Sequence, residues 1–183
     1  MVIAPAHHRR IQAGILSWGQ DMDNQHNPFQ SNLGYQVSLS GKGEWKKSTN
    51  YIGKDVLEKM KSELQSGKKP YKLQLVGLTL GGKPIEEYAP DFWLISHTAD
   101  DDPCGYITSP WYHPEQKRNI AMGYVPFEGT LNSNGFPIGN YGKKFKVHLP
   151  DEYLETKGKP VDAEVVPIPF TESYNPNTRE TVD

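Results

Sequence analysis

The stretch RIQAGILSWGQDMD, residues 10–23, sets an amide (Gln12), an indole (Trp18) and a carboxylate (Asp21) close together in the chain. An amide offers the paired donor and acceptor groups that a flat heteroaromatic such as a pterin needs, and an indole offers a face on which such a ring can stack. A strand with a packed tryptophan and an Asx turn explains the same residues without a ligand, and composition alone leaves both readings open. Other clusters carry less. DMDNQHN at 21–27 begins like a calcium loop, yet the required turn glycine is His26 and the bidentate acid at the twelfth position is Asn32. Asp100, Asp101 and Asp102 precede Pro103, and three adjacent side chains cannot all face one cation, so they form a solvated turn. His7, His8, His26, His97, His113 and His148 include no pair at zinc-binding helical spacing. Cys104, the only cysteine, opens an apolar strand with no base near it in sequence, which suits an inert buried thiol. The glycine turns GQD, GKG and GGK lack the loop-then-helix order of a phosphate cradle. No metal and no nucleotide site is expected.

The elements that must position these groups follow from composition and period. A chain of 183 residues can bury about two thirds of its unfolded surface in a real core. Its net charge of −2 and its 23% of charged residues set up no field for nucleic acid or an anionic membrane. One cysteine excludes an intramolecular disulfide and favours a cytoplasmic location. No apolar run approaches the ~18 residues of a membrane span, and MVIAPAHHRR places its charge after its apolar stretch, the reverse of a signal peptide. With Gly 17, Pro 15 and 11% aromatics, strands and turns should dominate.

Residues 9–16, RRIQAGIL, read as a strand that delivers the loop containing Trp18 and Asp21, and 33–39, LGYQVSL, as a second strand. On a strand, Gln12 and Trp18 differ by an even number and would share one face. GKDVLEKMKSELQSGKK places Val56, Leu57, Met60 and Leu64 at helical spacing and stops at Gly67, so one helix is expected. From Tyr71 the period becomes two, with strands expected at 72–80, 91–97, 104–109, 119–126, 143–149 and 161–170. Glycine or proline marks the joints, and closure would remove the exposed edges. The fold class is therefore mainly β with one helix (α+β), a six-stranded antiparallel β-barrel behind a partial α+β segment. Residues 1–68 form the front segment, 69–170 the barrel and 171–183 a loose tail. Ile11, Ile15, Leu16, Leu33 and Val37 would lie exposed together unless a further segment or a second copy covers them.

RIQAGILSWGQDMDNQHNPFQSNLGYQV resembles the signature R-x-E-A-G-x-x-x-Y-G-x-D, with a later N-P and G-L, of the glycine cleavage T-protein superfamily. NYIGKDVLEKMKSEL is similar to that family's D-F-I-G-K-E-A-L helix, and LQLVGLTL, CGYITSPWYHPEQKRNIAMGYVP and AEVVPIPF are similar to its C-terminal barrel. AGILSWGQDMD with NPF leans toward the tetrahydrofolate-dependent demethylases, that of dimethylsulfoniopropionate foremost. The resemblance implies a folate-binding body packed on a barrel, with tetrahydrofolate as cofactor accepting a one-carbon unit from a small methyl or aminomethyl donor. It implies Gln12, Trp18 and Asp21 as cofactor-binding residues, with Gln12 where the family has a glutamate and Trp18 where it has a tyrosine. The catalytic aspartate and much of the folate pocket have no counterpart here, so the chain is expected to be the C-terminal half of a longer enzyme, inactive alone. Its partner would be that upstream half or another copy of itself. Two alternatives stand beside this: a stand-alone barrel that binds a ligand or partner without turnover, and an aryl methyl ether demethylase of the same superfamily.

Overall fold

The computed structural model describes residues 6–37, 39, 51–132 and 137–170, and the backbone of 174–175 and 180–181. Six strands close a barrel: β1 (Leu73–Leu80), β2 (Trp93–Ser96), β3 (Gly105–His113), β4 (Arg118–Pro126), β5 (Lys144–Val147) and β6 (Val161–Val166). The order around the wall is β1-β4-β3-β2-β5-β6, and β6 returns to β1. All pairings are antiparallel, as the period-two runs imply. Closure leaves none of the six with an unpaired edge. Alternation sends Val76, Leu78, Trp93, Ile95, Ile107 and Val125 inward to an apolar filling. Gly77 sits where an added Cβ would meet Ile168, Phe170 and the Val166 carbonyl, so glycine is what lets 166–170 lie close against β1.

The outer face of β1 and β4 is apolar as well. Leu75, Ile120, Met122 and Tyr124 project outward there and bury Ile11 and Phe170. Ile11 belongs to helix α1 (His7–Gln12), not to the strand expected over 9–16. Gly14, at φ +67°, takes the left-handed conformation one place past the cap. The Gly14 N–H then donates to the Ile11 carbonyl and the Ile15 N–H to that of Arg10, at 3.0 and 2.8 Å, which is the Schellman closure of a helix. The parity that would have put Gln12 and Trp18 on one strand face does not apply. Residues 33–39 likewise hold no described strand but a single 3-10 turn, Gly34–Gln36.

Helix α2 (Lys54–Gln65) forms as its spacing predicts and ends in the same motif, with Gly67 at φ +77°. Leu57, Met60 and Leu64 pack on Phe29, Tyr71 and Phe127, whereas Val56 faces solvent. The apolar face expected to lie open is thus covered largely by the barrel's own outer wall: Ile11 is buried, Leu16 packs beside it, and only Ile15 is exposed, at 59%. The tail expected over 171–183 lies mostly outside the described residues; Tyr174–Asn175 pairs antiparallel with Glu180–Thr181. No described helix is long and apolar enough to cross a membrane.

Candidate functional site

Asp21 stands at the seam between front segment and barrel, 1% exposed. Arg10, reaching down from α1, gives its Oδ2 an ion pair of 2.7 Å. The Ser17 N–H donates to the same oxygen at 2.8 Å. Thr108 and Ser109 both donate hydroxyls to Oδ1 at 2.6 Å. Consecutive residues of a regular strand point to opposite faces, so two hydroxyls on one oxygen need an irregularity. The β3–β4 register shifts between Ile107 and Ser109, and that bulge turns Thr108 toward the same side as Ser109. Arg10 also donates to Ser109 Oγ at 2.8 Å, and the Tyr124 hydroxyl donates to the Asp21 backbone carbonyl at 2.8 Å. Burial pushes the Tyr124 hydroxyl's pKa well up, which keeps it a donor. Only the Arg10 Nε of this buried net has no hydrogen-bond partner among the described residues.

Two further contacts fasten the loop. Gln20 donates through its amide to the Thr108 carbonyl and accepts from the Tyr88 hydroxyl at 3.0 Å. His26 lies between Asp23 and Tyr106, with Nδ1 2.8 Å from Asp23 Oδ1 and Nε2 3.1 Å from the Tyr106 hydroxyl. The Gln25 N–H, first, and His26, second, hold the Asp23 carboxyl below its usual pKa, while burial and then Asp23 raise that of Tyr106.

No hydrogen bond or ring contact among the described residues links Gln12, Trp18 and Asp21 to one another. Gln12 closes α1, half-buried, and its backbone carbonyl accepts from the Phe170 N–H at 2.9 Å. Trp18 turns its indole to solvent, 69% exposed, and bridges Met22 through the backbone. Arg10, Thr108, Ser109 and Tyr124 were missed because three of them lie more than 80 positions away from Asp21 in the chain. Arg10 alone had a local signal, an unlike charge facing Asp21 across one turn-rich segment.

Residues 74–172, more than half of the chain, match the family described as the glycine cleavage T-protein C-terminal barrel domain. This chain belongs to that family. Among its relatives, "Aminomethyltransferase" of Nostoc sp. is 30% identical over 91% of this chain and 35% of its own length. "Aminomethyltransferase" of Synechocystis sp. is 31% identical over 76% of this chain and 33% of its own. The chain therefore spans about a third of the relatives it matches. The solved glycine cleavage system aminomethyltransferase T from Bartonella henselae shares the fold, with TM-score 0.61 and 20% identity over 97% of this chain and 39% of that one.

The resemblance read from the sequence implies folate, and the donor set here can be tested against it. Asp21 does not fit, because its carboxylate oxygens are already taken by Arg10, Ser17, Thr108 and Ser109. Trp18 fits as a stacking face and Gln12 as a neutral amide that no described residue engages. A cavity of about 310 Å³ opens between Ala13, Gly14, Leu33, Tyr35, Leu75 and Ile168, and neither Gln12 nor Trp18 lines it; its volume is at the small end of the ~300–1,000 Å³ usual for small-molecule sites.

Proposed function

We propose that this chain is the C-terminal portion of a tetrahydrofolate-dependent methyl- or aminomethyltransferase. The observation that carries the proposal is similarity to an aminomethyltransferase across 91% of the chain, well beyond the barrel itself. Bound tetrahydrofolate would accept the one-carbon unit. Trp18 presents its indole to the pterin, or to a positively charged donor through cation–π attraction. Gln12 pairs its amide with the pterin's donor edge; lacking the charge of a glutamate, it holds that edge about half as strongly. Asp21 touches no ligand: it fixes Arg10, and through Arg10 the end of α1 that carries Gln12. Catalysis of this kind rests on holding donor and acceptor together without water, and the carboxylate that steadies developing charge belongs to the upstream part of the enzyme.

Calorimetry of tetrahydrofolate with the complete enzyme carrying these residues tests the assignment. Gln12→Glu should tighten binding, and Trp18→Ala should weaken it by about 1–3 kcal/mol, as for aromatic stacking on nucleobases. If neither substitution alters affinity, the pocket assignment fails. Without the upstream part, methyl transfer from dimethylsulfoniopropionate to tetrahydrofolate should not exceed that of an unrelated control protein.

A further inference from the structure

The two helices are fastened to the molecule in different ways. Helix α1 buries Ile11, pairs Arg10 with Asp21 and accepts the Phe170 N–H on its last carbonyl. Helix α2, twice as long, buries none of its twelve residues. Among the described residues its hydrogen bonds and its one ion pair, Lys54 to Glu58 at 3.9 Å, stay within the helix and its flanking turns. Only the half-buried Leu57, Met60 and Leu64 reach the rest of the fold. At each end stands a left-handed glycine, Gly53 at φ +86° and Gly67 at φ +77°, with nothing within 4 Å of where a Cβ would lie. Glycine takes either sign of φ at little cost, so both positions can absorb a rotation of the helix. The surface beneath α2 has its own support. Tyr71 stacks on Phe127, centroids 4.7 Å apart and planes at 22°, and its hydroxyl donates to Gln74 Oε1 at 2.9 Å. The Gln74 amide donates in turn to the Gln30 carbonyl at 2.9 Å and to Asn32 Oδ1 at 2.7 Å. The Phe127 N–H donates to the Lys72 carbonyl and the Leu75 N–H to that of Gln30, both at 2.9 Å. Stacked rings and a satisfied net keep this platform in shape whether or not the helix lies on it.

We infer that α2 is a hinged arm that leaves the platform of Phe29, Tyr71 and Phe127 as one unit, turning at Gly53 and Gly67, while α1 and the barrel stay closed. Its hold among the described residues is three half-buried side chains, which puts this opening at the low end of the fold's stability. A twelve-residue helix released into water is marginal, so leaving the platform also melts it and frees its amides. The open form is a minor population, and equilibrium unfolding of α1 with the barrel stays a single transition. The inference rests on neither the family nor the proposed function.

The test is native-state hydrogen exchange of the full ¹⁵N-labelled chain in increasing urea, below the unfolding midpoint. The amides of residues 58–65 are expected to share one protection factor, at least about 100-fold below those of β1 and β4, with little dependence on urea. Leu75 and Phe127, in the platform, should keep the protection of the barrel. Ile95→Val, inside the barrel, should lower the protection of β1 and β4 by about two- to tenfold and leave that of α2 unchanged, because the barrel is intact in the open form. A dispersed amide spectrum shows that the variant is folded, and Ile107→Val takes its place should it not be. Amides of α2 that follow the barrel in urea, or lose protection with Ile95→Val, would show that the helix has no opening of its own. Protection that climbs from the helix ends toward its middle would be fraying rather than the release of a unit. Loss of protection at Leu75 or Phe127 together with α2 would mean that the platform goes with the helix. Each of these three results overturns the inference.

Discussion

A carboxylate as far from water as that of Asp21 is tolerable only while its donors stay in place, since removing one member of a buried ion pair strands the other. Asp21→Ala should therefore cost about 3–5 kcal/mol in urea denaturation, and Thr108→Val about 1–3 kcal/mol, the range for one lost buried partner. Replacing Arg10 and Asp21 together by Met and Leu should recover much of the single-mutant loss, because no charge is then left alone. Asp23 behaves differently, being exposed, and its effect is read through pH. Its folded pKa lies below the unfolded value, so the stability it contributes is present above about pH 4 and is lost as pH falls through the folded value. The gap in urea midpoint between the native chain and Asp23→Asn should accordingly close as the pH is lowered from 6 to 3. A gap that stays constant over that interval would mean that the Gln25 and His26 contacts do not act on this carboxyl in solution.

At the scale of elements, glycines at the two helix ends do the same backbone task in different surroundings. Gly67, at φ +77°, has nothing within 4 Å of where a Cβ would lie, whereas a Cβ on Gly14, at φ +67°, would run into Ile168. Gly67→Ala should cost only the left-handed strain of about 1–2 kcal/mol. Gly14→Ala should cost clearly more, and thermal melts of the pair measure the difference. The same elements show what the sequence could reveal. Each barrel strand buries one face in a continuous filling, so the period of two from Tyr71 onward was readable, as was α2 with its apolar stripe and terminal glycine. Helix α1 was not, because six residues with a single buried position, Ile11, carry no period at all. Its signature was instead the Arg10 to Ile15 Schellman span around Gly14, which resembles a strand broken by a glycine. Nor could the bulge at Thr108 be foreseen, since Ile107, Thr108 and Ser109 read as ordinary strand; its cause lies 87 positions away, in Asp21.

For the whole molecule, the consequence is that front segment and barrel share strands. β1 and β4 turn Val76, Leu78 and Val125 to the inner filling and Leu75, Ile120, Met122 and Tyr124 to the layer closed by Ile11 and Phe170. Loss of the outer layer bares the back of the same strands that hold the barrel, so the two parts should unfold together rather than in sequence. Ile11, 1% exposed, belongs to that outer layer. Truncating it to alanine should cost about 2–5 kcal/mol. The decisive measurement is urea unfolding of Ile11→Ala followed by two probes, far-UV circular dichroism for the strands and fluorescence for the tryptophans. Trp93 lies inside the barrel at 5% exposure, and Trp111 packs at the α1 side. If the parts are one cooperative unit, both probes shift together to a lower midpoint with a common curve. Were α1 a docked appendage, the fluorescence change at Trp111 would come early while the strands and Trp93 kept the native midpoint, and the shared-strand account of stability would be wrong.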